Sequence, residues 1–237
     1  VQLLRSLVYT TWLFVGTAIY AVIVLLLSWL PSKQLYRVAN SWSHTQLWVL
    51  KVCCGLSYRV EGTENIIPGA HVSMWKHSSA WETIAQAGIF PPQSWVLKRE
   101  LMWIPLVGWA LHFLRPIAIN RSAGASAVNQ VVEQGKERLA SGLWVLVFPE
   151  GTRVAAGEKR KYGVSGALLA SRAGCKIIPV AHNAGLFWPR RGWVKKPGVI
   201  QVAIGPPIDA AGRDPRELNE EVRTWIEAKL ASMTKAS

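Results

Sequence analysis

The chain has 237 residues, enough for one compact domain plus an additional segment and too few for two ordinary domains. Half of the residues are hydrophobic and only 17% are charged, against about 25% charge in a typical soluble domain, which argues against a wholly water-exposed protein. Lys and Arg number 27 against 14 Asp and Glu, a formal charge of +13, and that sign suits nucleic acid, anionic lipid or a phosphorylated substrate.

The first element is an apolar run. Residues 6–32 lie between Arg5 and Lys33 and carry no charged side chain. Their apolar heart, 7–30, predicts a membrane-embedded helix, since about 20 helical residues cross roughly 30 Å of hydrocarbon. Trp12 and Trp29 sit near its two ends, where interfacial anchors belong. The 13 Trp of the chain, against five Tyr and five Phe, fit the same boundary. A secretory signal would have a core of about 7–15 residues and a small-residue cleavage site, whereas this run is longer and ends in Ser28-Trp29-Leu30-Pro31. The sparse flanking charges fit a spanning and a re-entrant helix equally.

A second segment, about 34–54, mixes Leu35, Val38, Trp42, Leu47, Trp48 and Val52 with Arg37 and Lys51. It is too polar to span and suits the interface, or a return path beside the first helix. The first 60 residues hold five basic side chains and no acidic one, an asymmetry suited to anionic headgroups. Residues 1–54 are therefore expected to form an N-terminal membrane anchor, and 55–237 the remaining domain. Cys53, Cys54 and Cys175 have no spacing of a thiolate metal site and point to a reducing compartment.

Beyond residue 55, strand-like runs at 57–61, 71–75, 94–98, 117–119, 143–148, 176–181 and 199–204 interleave with helical patterns at 80–88, 105–112, 125–140, 164–172 and 215–233. That alternation argues for an α/β layered domain. The last helix has the clearest start, with Asp214 as cap, Pro215 at the first position and Glu217 at the third.

Candidate chemistry falls at the ends of the strands. His77-Ser78-Ser79-Ala80-Trp81-Glu82 follows the run at 71–75. One reading is a capping box, Ser79 capping and Glu82 closing the first turn. The other places His77 in the loop before the helix, where Glu82 can hold one imidazole nitrogen while the other accepts a proton from a hydroxyl. Lys98 ends another strand run, and Ile119-Asn120-Arg121 a third. Val147-Phe148-Pro149-Glu150-Gly151-Thr152-Arg153 ends a fourth. Gly151 permits a sharp turn, and Arg153 offers a planar fork of donors for phosphate. Lys98 and Arg121 are expected to converge with Arg153 on an anion, because strand ends of α/β sheets are common ligand sites. The cations at 159–161 fit a solvated surface as well as a site. The five histidines have no ligand spacing, so no metal site is expected.

These segments together resemble the glycerolipid acyltransferase family, most closely the bacterial 1-acyl-sn-glycerol-3-phosphate acyltransferases. His77 and Glu82 match the family's His-x4-acid block, with Glu where Asp is commoner. Ala118-Ile119-Asn120-Arg121 matches the second block loosely, with Asn120 in place of an acid. The Phe-Pro-Glu-Gly-Thr-Arg block is met in full at 148–153, and Ile177-Ile178-Pro179-Val180 matches the fourth. The blocks run in family order from about 70 to 182.

The resemblance implies a mixed central sheet flanked by helices behind the membrane anchor. It implies acyl transfer from a thioester to the sn-2 hydroxyl of 1-acyl-sn-glycerol 3-phosphate, lysophosphatidic acid, giving phosphatidic acid. His77 is then the general base and Glu82 its partner. Arg153, Arg121 and Lys98 hold the substrate phosphate, and Glu150, Gly151 and Thr152 shape the acceptor site. No cofactor or metal is implied, since the donor, acyl carrier protein or coenzyme A thioester, arrives activated. The implied setting is the bilayer of a bacterial inner membrane, with the catalytic domain on the cytoplasmic side.

Other classes fit less. A serine hydrolase reading of Gly163-Val164-Ser165-Gly166-Ala167 lacks the last glycine and has His182 before Asp209, the wrong order. No zinc-finger, RNP or helix-turn-helix signal supports a nucleic-acid partner. Acyl transfer to another lyso-lipid, or a non-enzymatic lipid-binding protein, are the alternatives kept.

Overall fold

A computed structural model describes residues 1–155, 157–158 and 160–235, with the side chains of Arg121, Thr234 and Lys235 outside that description. Alternation in the strand sequences builds the core. In β2 (Val72–Trp75), Val72 and Met74 face one side and Trp75 the other. In β5 (Trp144–Val147), Val145 and Val147 oppose Trp144 and Leu146. Every residue of both strands is buried, as expected of parallel strands covered on both faces.

The other strands are β1 (Leu56–Glu61), β3 (Gln93–Lys98), β4 (Ile117–Ile119), β6 (Lys176–His182), β7 (Gly198–Ile204) and β8 (Ile208–Asp209). They form an eight-stranded sheet ordered β1-β7-β6-β2-β5-β3-β4, with β8 beside β6. β6 runs antiparallel to β7 and β8, and the remaining pairs are parallel. The sheet is therefore mixed. β2, β5, β3 and β4 run in one direction, so their C-terminal ends and the loops that follow share one edge.

Helices cover both faces. On one side, α5 (Ala125–Ala140), α6 (Ser165–Ala173) and α8 (Pro215–Lys235) bury Val131, Val132, Leu169, Leu218, Val222 and Ile226 against the sheet. On the other lie α1 (Gln2–Leu26), α2 (Ser32–Cys54) and α3 (Trp81–Ile89), and α4 (Val107–Phe113) packs along α1 and shares apolar clusters with side chains of α2; α7 (Ala184–Phe187) is a single turn after β6. The strand at 117–119 and the helix at 125–140 lie where the sequence pattern puts them, while β8 and α7 are too short to leave a periodic signal.

The first helix departs from its expected span of 7–30. It begins at Gln2 because its polar N-terminal residues are tied down: Gln2 donates to Cys54 O (3.1 Å), and Ser6 Oγ accepts from Lys195 N (2.9 Å). It stops at Leu26, where the chain turns ahead of Pro31. The second helix starts at Ser32. Its Ser43 donates to Ile84 O (2.8 Å) and Asn40 to Ala87 O (3.1 Å), both on α3. Tyr9, Leu47, Leu50 and Cys54 share an apolar cluster with Leu56, Trp75 and Ile200 of the sheet.

The start of α8 follows its sequence signature, with Arg216 N and Glu217 N donating to Asp214 Oδ1 at 2.8 and 3.1 Å. Asp214→Ala removes that acceptor and lowers stability by about 1 kcal/mol, read as a drop in the chemical denaturation midpoint. An unchanged midpoint would show that the cap does not stabilise the fold.

Candidate active site

After β2 the chain runs through Lys76, His77, Ser78 and Ser79 into α3. Ser79 fixes that turn, its Oγ accepting from Trp81 N (3.1 Å) and donating to Trp188 O (2.6 Å). Glu82, in the first turn of α3, folds back and is fully buried. Its Oε1 accepts from Ser79 N (2.8 Å) and Ser78 N (2.9 Å) and lies 2.9 Å from His77 Nδ1. The glutamate half of the capping box and the His–carboxylate pair, alternatives in the sequence, are thus made by one oxygen. With Nδ1 committed to Glu82, Nε2 is the nitrogen left to meet a substrate.

Burial works against ionisation of Glu82, but His182, His77 and the Ser79 amide outweigh it and hold the carboxyl below the usual range. His182 is also fully buried, and burial lowers its pKa, which favours the neutral ring. Its Nε2 donates to Lys76 O (2.8 Å) and its Nδ1 accepts from Ala184 N (3.3 Å). That leaves its donor edge 3.8 Å from Glu82 Oε2.

The loop after β5 holds His77 from a second side. Phe148 stacks on the imidazole with centroids 4.1 Å apart and planes 17° from parallel. Val154 N donates to His77 O (2.8 Å), and His77 N donates to Glu150 Oε1 (3.4 Å). Glu150 Oε1 also pairs with Lys76 Nζ at 3.2 Å. Burial raises the pKa of Glu150, with Lys76 acting against it. The basic group that Glu150 orients is therefore Lys76, buried next to His77 in sequence. Lys76 Nζ makes a second pair with Glu227 Oε1 of α8 at 2.8 Å, and Tyr162 OH donates to the same oxygen at 3.2 Å.

Gly151 has φ +67°, and a Cβ there would meet no atom within 4 Å. Its role is the left-handed conformation rather than space, and that turn leads Thr152 and Arg153 back to the cleft.

The cleft, of about 470 Å³, brings together His77, Lys98, Phe148, Thr152 and Arg153. Arg153 Nε is buried without a hydrogen-bond partner among the described residues. Lys98, at the end of β3, is more exposed and pairs with Glu100 at 3.3 Å. Arg121 opens the turn after β4, two residues beyond the Lys98–Ile119 register pair, and its side chain lies outside the described residues; Lys159 lies outside them altogether. Ser165 does not line the cleft. Arg190, unflagged by the sequence, lines the cleft and reaches Thr152 Oγ1 at 3.4 Å. Trp42, Trp95 and Leu111 form the apolar side of the cleft and also line a further apolar cavity of about 230 Å³ between α1, α2 and α4. The arrangement joins a proton acceptor, cations and an apolar channel, as needed to bind an anionic amphiphile beside a base.

The chain is similar to known proteins over most of its length. The acyltransferase family model matches residues 57–183. The 1-acyl-sn-glycerol-3-phosphate acyltransferase of Pseudomonas aeruginosa is 46% identical over 209 residues, covering 86% of this chain and 81% of that protein. The enzyme of the same name from Salmonella typhimurium is 31% identical over 196 residues, covering 80% and 76%. The crystal structure of the 1-acyl-sn-glycerophosphate acyltransferase PlsC from Thermotoga maritima shares the fold, with a TM-score of 0.83 at 23% identity over 98% of this chain and 96% of that one.

Proposed function

From the premise that the chain belongs to the acyltransferase family, we infer that it transfers an acyl group from a thioester to the sn-2 hydroxyl of 1-acyl-sn-glycerol 3-phosphate, giving phosphatidic acid. The relatives that carry this activity in their names support the reaction. The observation that carries the mechanism is the His77–Glu82 pair at 2.9 Å on the wall of a cation-bearing cleft.

His77 Nε2 takes the proton of the acceptor hydroxyl as its oxygen attacks the thioester carbonyl. Glu82 stabilises the imidazolium that forms. The tetrahedral adduct collapses, the C–S bond breaks, and the thiolate recovers the proton from His77, leaving ester and free thiol. The donor is activated, so the step uses no cofactor and no metal. Arg153, Arg121 and Lys98 bind the acceptor phosphate. Glu150, Gly151 and Thr152 shape the acceptor site, Glu150 through Lys76. The apolar cavity between α1, α2 and α4 takes an acyl chain.

Among the described residues, α1 is the helix long and apolar enough to cross a membrane. Residues 1–54 serve as the membrane anchor and 55–237 carry the chemistry, at a bacterial inner membrane with the cleft on the cytoplasmic side. The donor is an acyl carrier protein or coenzyme A thioester. Purified protein given both thioesters and a panel of lyso-lipids is expected to acylate the phosphomonoester. Equal use of a choline-headed lyso-lipid would overturn the acceptor assignment.

Arg153→Lys tests the phosphate site. The charge stays but the bidentate fork is lost, so KM for the phosphorylated acceptor rises about tenfold, as for roughly 1.4 kcal/mol of lost binding, while KM for the donor is unchanged. Saturation curves in each substrate check this, and an unchanged acceptor curve removes Arg153 from the site.

A further inference from the structure

Beside the cleft, between β3 and α4, lies a segment that is apolar and outward-facing. Leu101 is 41% exposed, Trp103 65%, Ile104 44%, Leu106 36% and Trp109 55%. Residues 101–113 contain no Asp, Glu, Lys or Arg; Lys98, Arg99 and Glu100 precede them, with Glu100 paired to Lys98, and Arg115, paired to Glu137, follows. The exposure does not come from a loose loop. Arg99–Trp103 is a 3-10 helix, Gly108 N donates to Ile104 O (2.7 Å), and a Cβ at Gly108 would lie 2.3 Å from Met102 O. Leu106 is held at φ +62° and ψ −59° in a γ-turn closed by Val107 N donating to Pro105 O (2.7 Å), a rare and strained conformation. The fold thus constrains this turn in a shape that sets large apolar side chains outward, where water-exposed surfaces rarely gather them.

The surroundings specify the occupant. α4 packs on α1 through Ala110 against Ala21 and Val24, so this face continues that of α1, where Phe14, Ile19, Val22 and Leu26 are exposed. Trp103 and Trp109 are indoles, suited to the boundary of headgroup and hydrocarbon, and Arg99 lies over the Trp103 ring at 5.8 Å. Arg99, beside the Lys98–Glu100 pair, gives the start of this uncharged stretch a net positive charge that complements anionic headgroups. On their other side, Leu101 and Leu111 line the cleft that holds His77.

We propose that residues 101–109 are a second lipid-immersed element, separate from α1, forming the lip over which a lyso-lipid slides from the leaflet into the cleft. The immersion stands on the exposed surface alone, and the role as lip rests on the acyl-transfer reading. An acceptor following this path keeps its chain in an apolar phase throughout, and only its headgroup moves from lipid headgroups to protein cations.

Two measurements on the full chain in phosphatidylglycerol-containing vesicles test this. Ile104→Cys bearing a polarity-sensitive fluorophore, with the unsubstituted chain labelled in parallel as background, is expected to shift to the blue and to be quenched by lipids brominated near the headgroup. The Trp103→Ser/Trp109→Ser variant changes no residue that lines the cleft. Its KM for a long-chain acceptor in the vesicle is expected to rise about tenfold through lost interfacial anchoring, with kcat held and with a short-chain, monomeric acceptor used as before. A water-exposed probe would overturn the immersion, and self-quenching that follows protein rather than lipid would assign the face to a second copy. Equal loss on both acceptors, or none on either, would overturn the lip. Absence of any acyl transfer would refute the reaction while the probe still decides immersion.

Discussion

His77→Ala lowers acyl transfer about 10²–10⁴-fold, the usual contribution of a positioned proton acceptor, in a protein that stays folded. The fold tolerates the change because the His77 backbone is fastened independently of its ring, through Glu150 at its N–H and Val154 at its C=O. The ring contributes the stack on Phe148 and the bond to Glu82, and neither is the sole support of the loop. KM for either substrate changes little, since the loss falls on the transition state. A folded His77→Ala protein with normal turnover would remove the proposed base.

Glu82→Gln gives the second large effect, and the structure splits it in two. The amide oxygen still accepts from Ser78 N and Ser79 N, so the start of α3 survives. What is lost is the negative charge opposite His77, and turnover falls by roughly 10²-fold or more as the imidazolium goes unsupported. Glu82→Ala leaves both amides and the ring without their acceptor, and instability of about 1–3 kcal/mol per orphaned donor is added. Glu82→Asp restores charge on a shorter arm and retains partial activity. Because the carboxyl pKa is lowered in the folded protein, its stabilising contribution is complete above the ordinary Glu range and is lost as pH falls through the folded value. Gln removes that acid sensitivity. Turnover and denaturation followed together across pH separate the two roles. If Gln left turnover intact, Glu82 would act only as a helix cap.

Strand and helix periodicity makes the layered fold legible in the sequence, and of the motif residues at strand ends His77, Lys98, Thr152 and Arg153 line one cleft. The residues that were not legible are those recruited by strand order. β2 lies between β5 and β6, which brings His182 under the loop that begins at Lys76. α8 packs over β6, which brings Glu227 to the same lysine across 151 positions of sequence. No local period encodes such meetings. Lys76 did carry a faint signal, a cation directly after a strand without a charged side chain and before the candidate base. Arg190 carried none, since it belongs to a stretch of several cations and only the path of the chain after α7 selects it. The first helix begins ahead of its apolar heart because hydropathy discounts polar residues that tertiary contacts hold in place.

The pairing of Lys76 with Glu227 also dictates an order of events during synthesis. α1 precedes the other described elements in the chain, so it leaves the ribosome while the sheet and α8 are still unmade. Lys76 and Glu150 follow, but the second carboxylate is translated near the end of the described chain. Until then the lysine beside the proposed base lacks its closest counter-ion. The turn that carries Lys76 and His77 therefore completes its ion pairs only when α8 docks, and a stop codon ahead of residue 227 yields a chain whose Lys76 lacks the nearer of its two carboxylates.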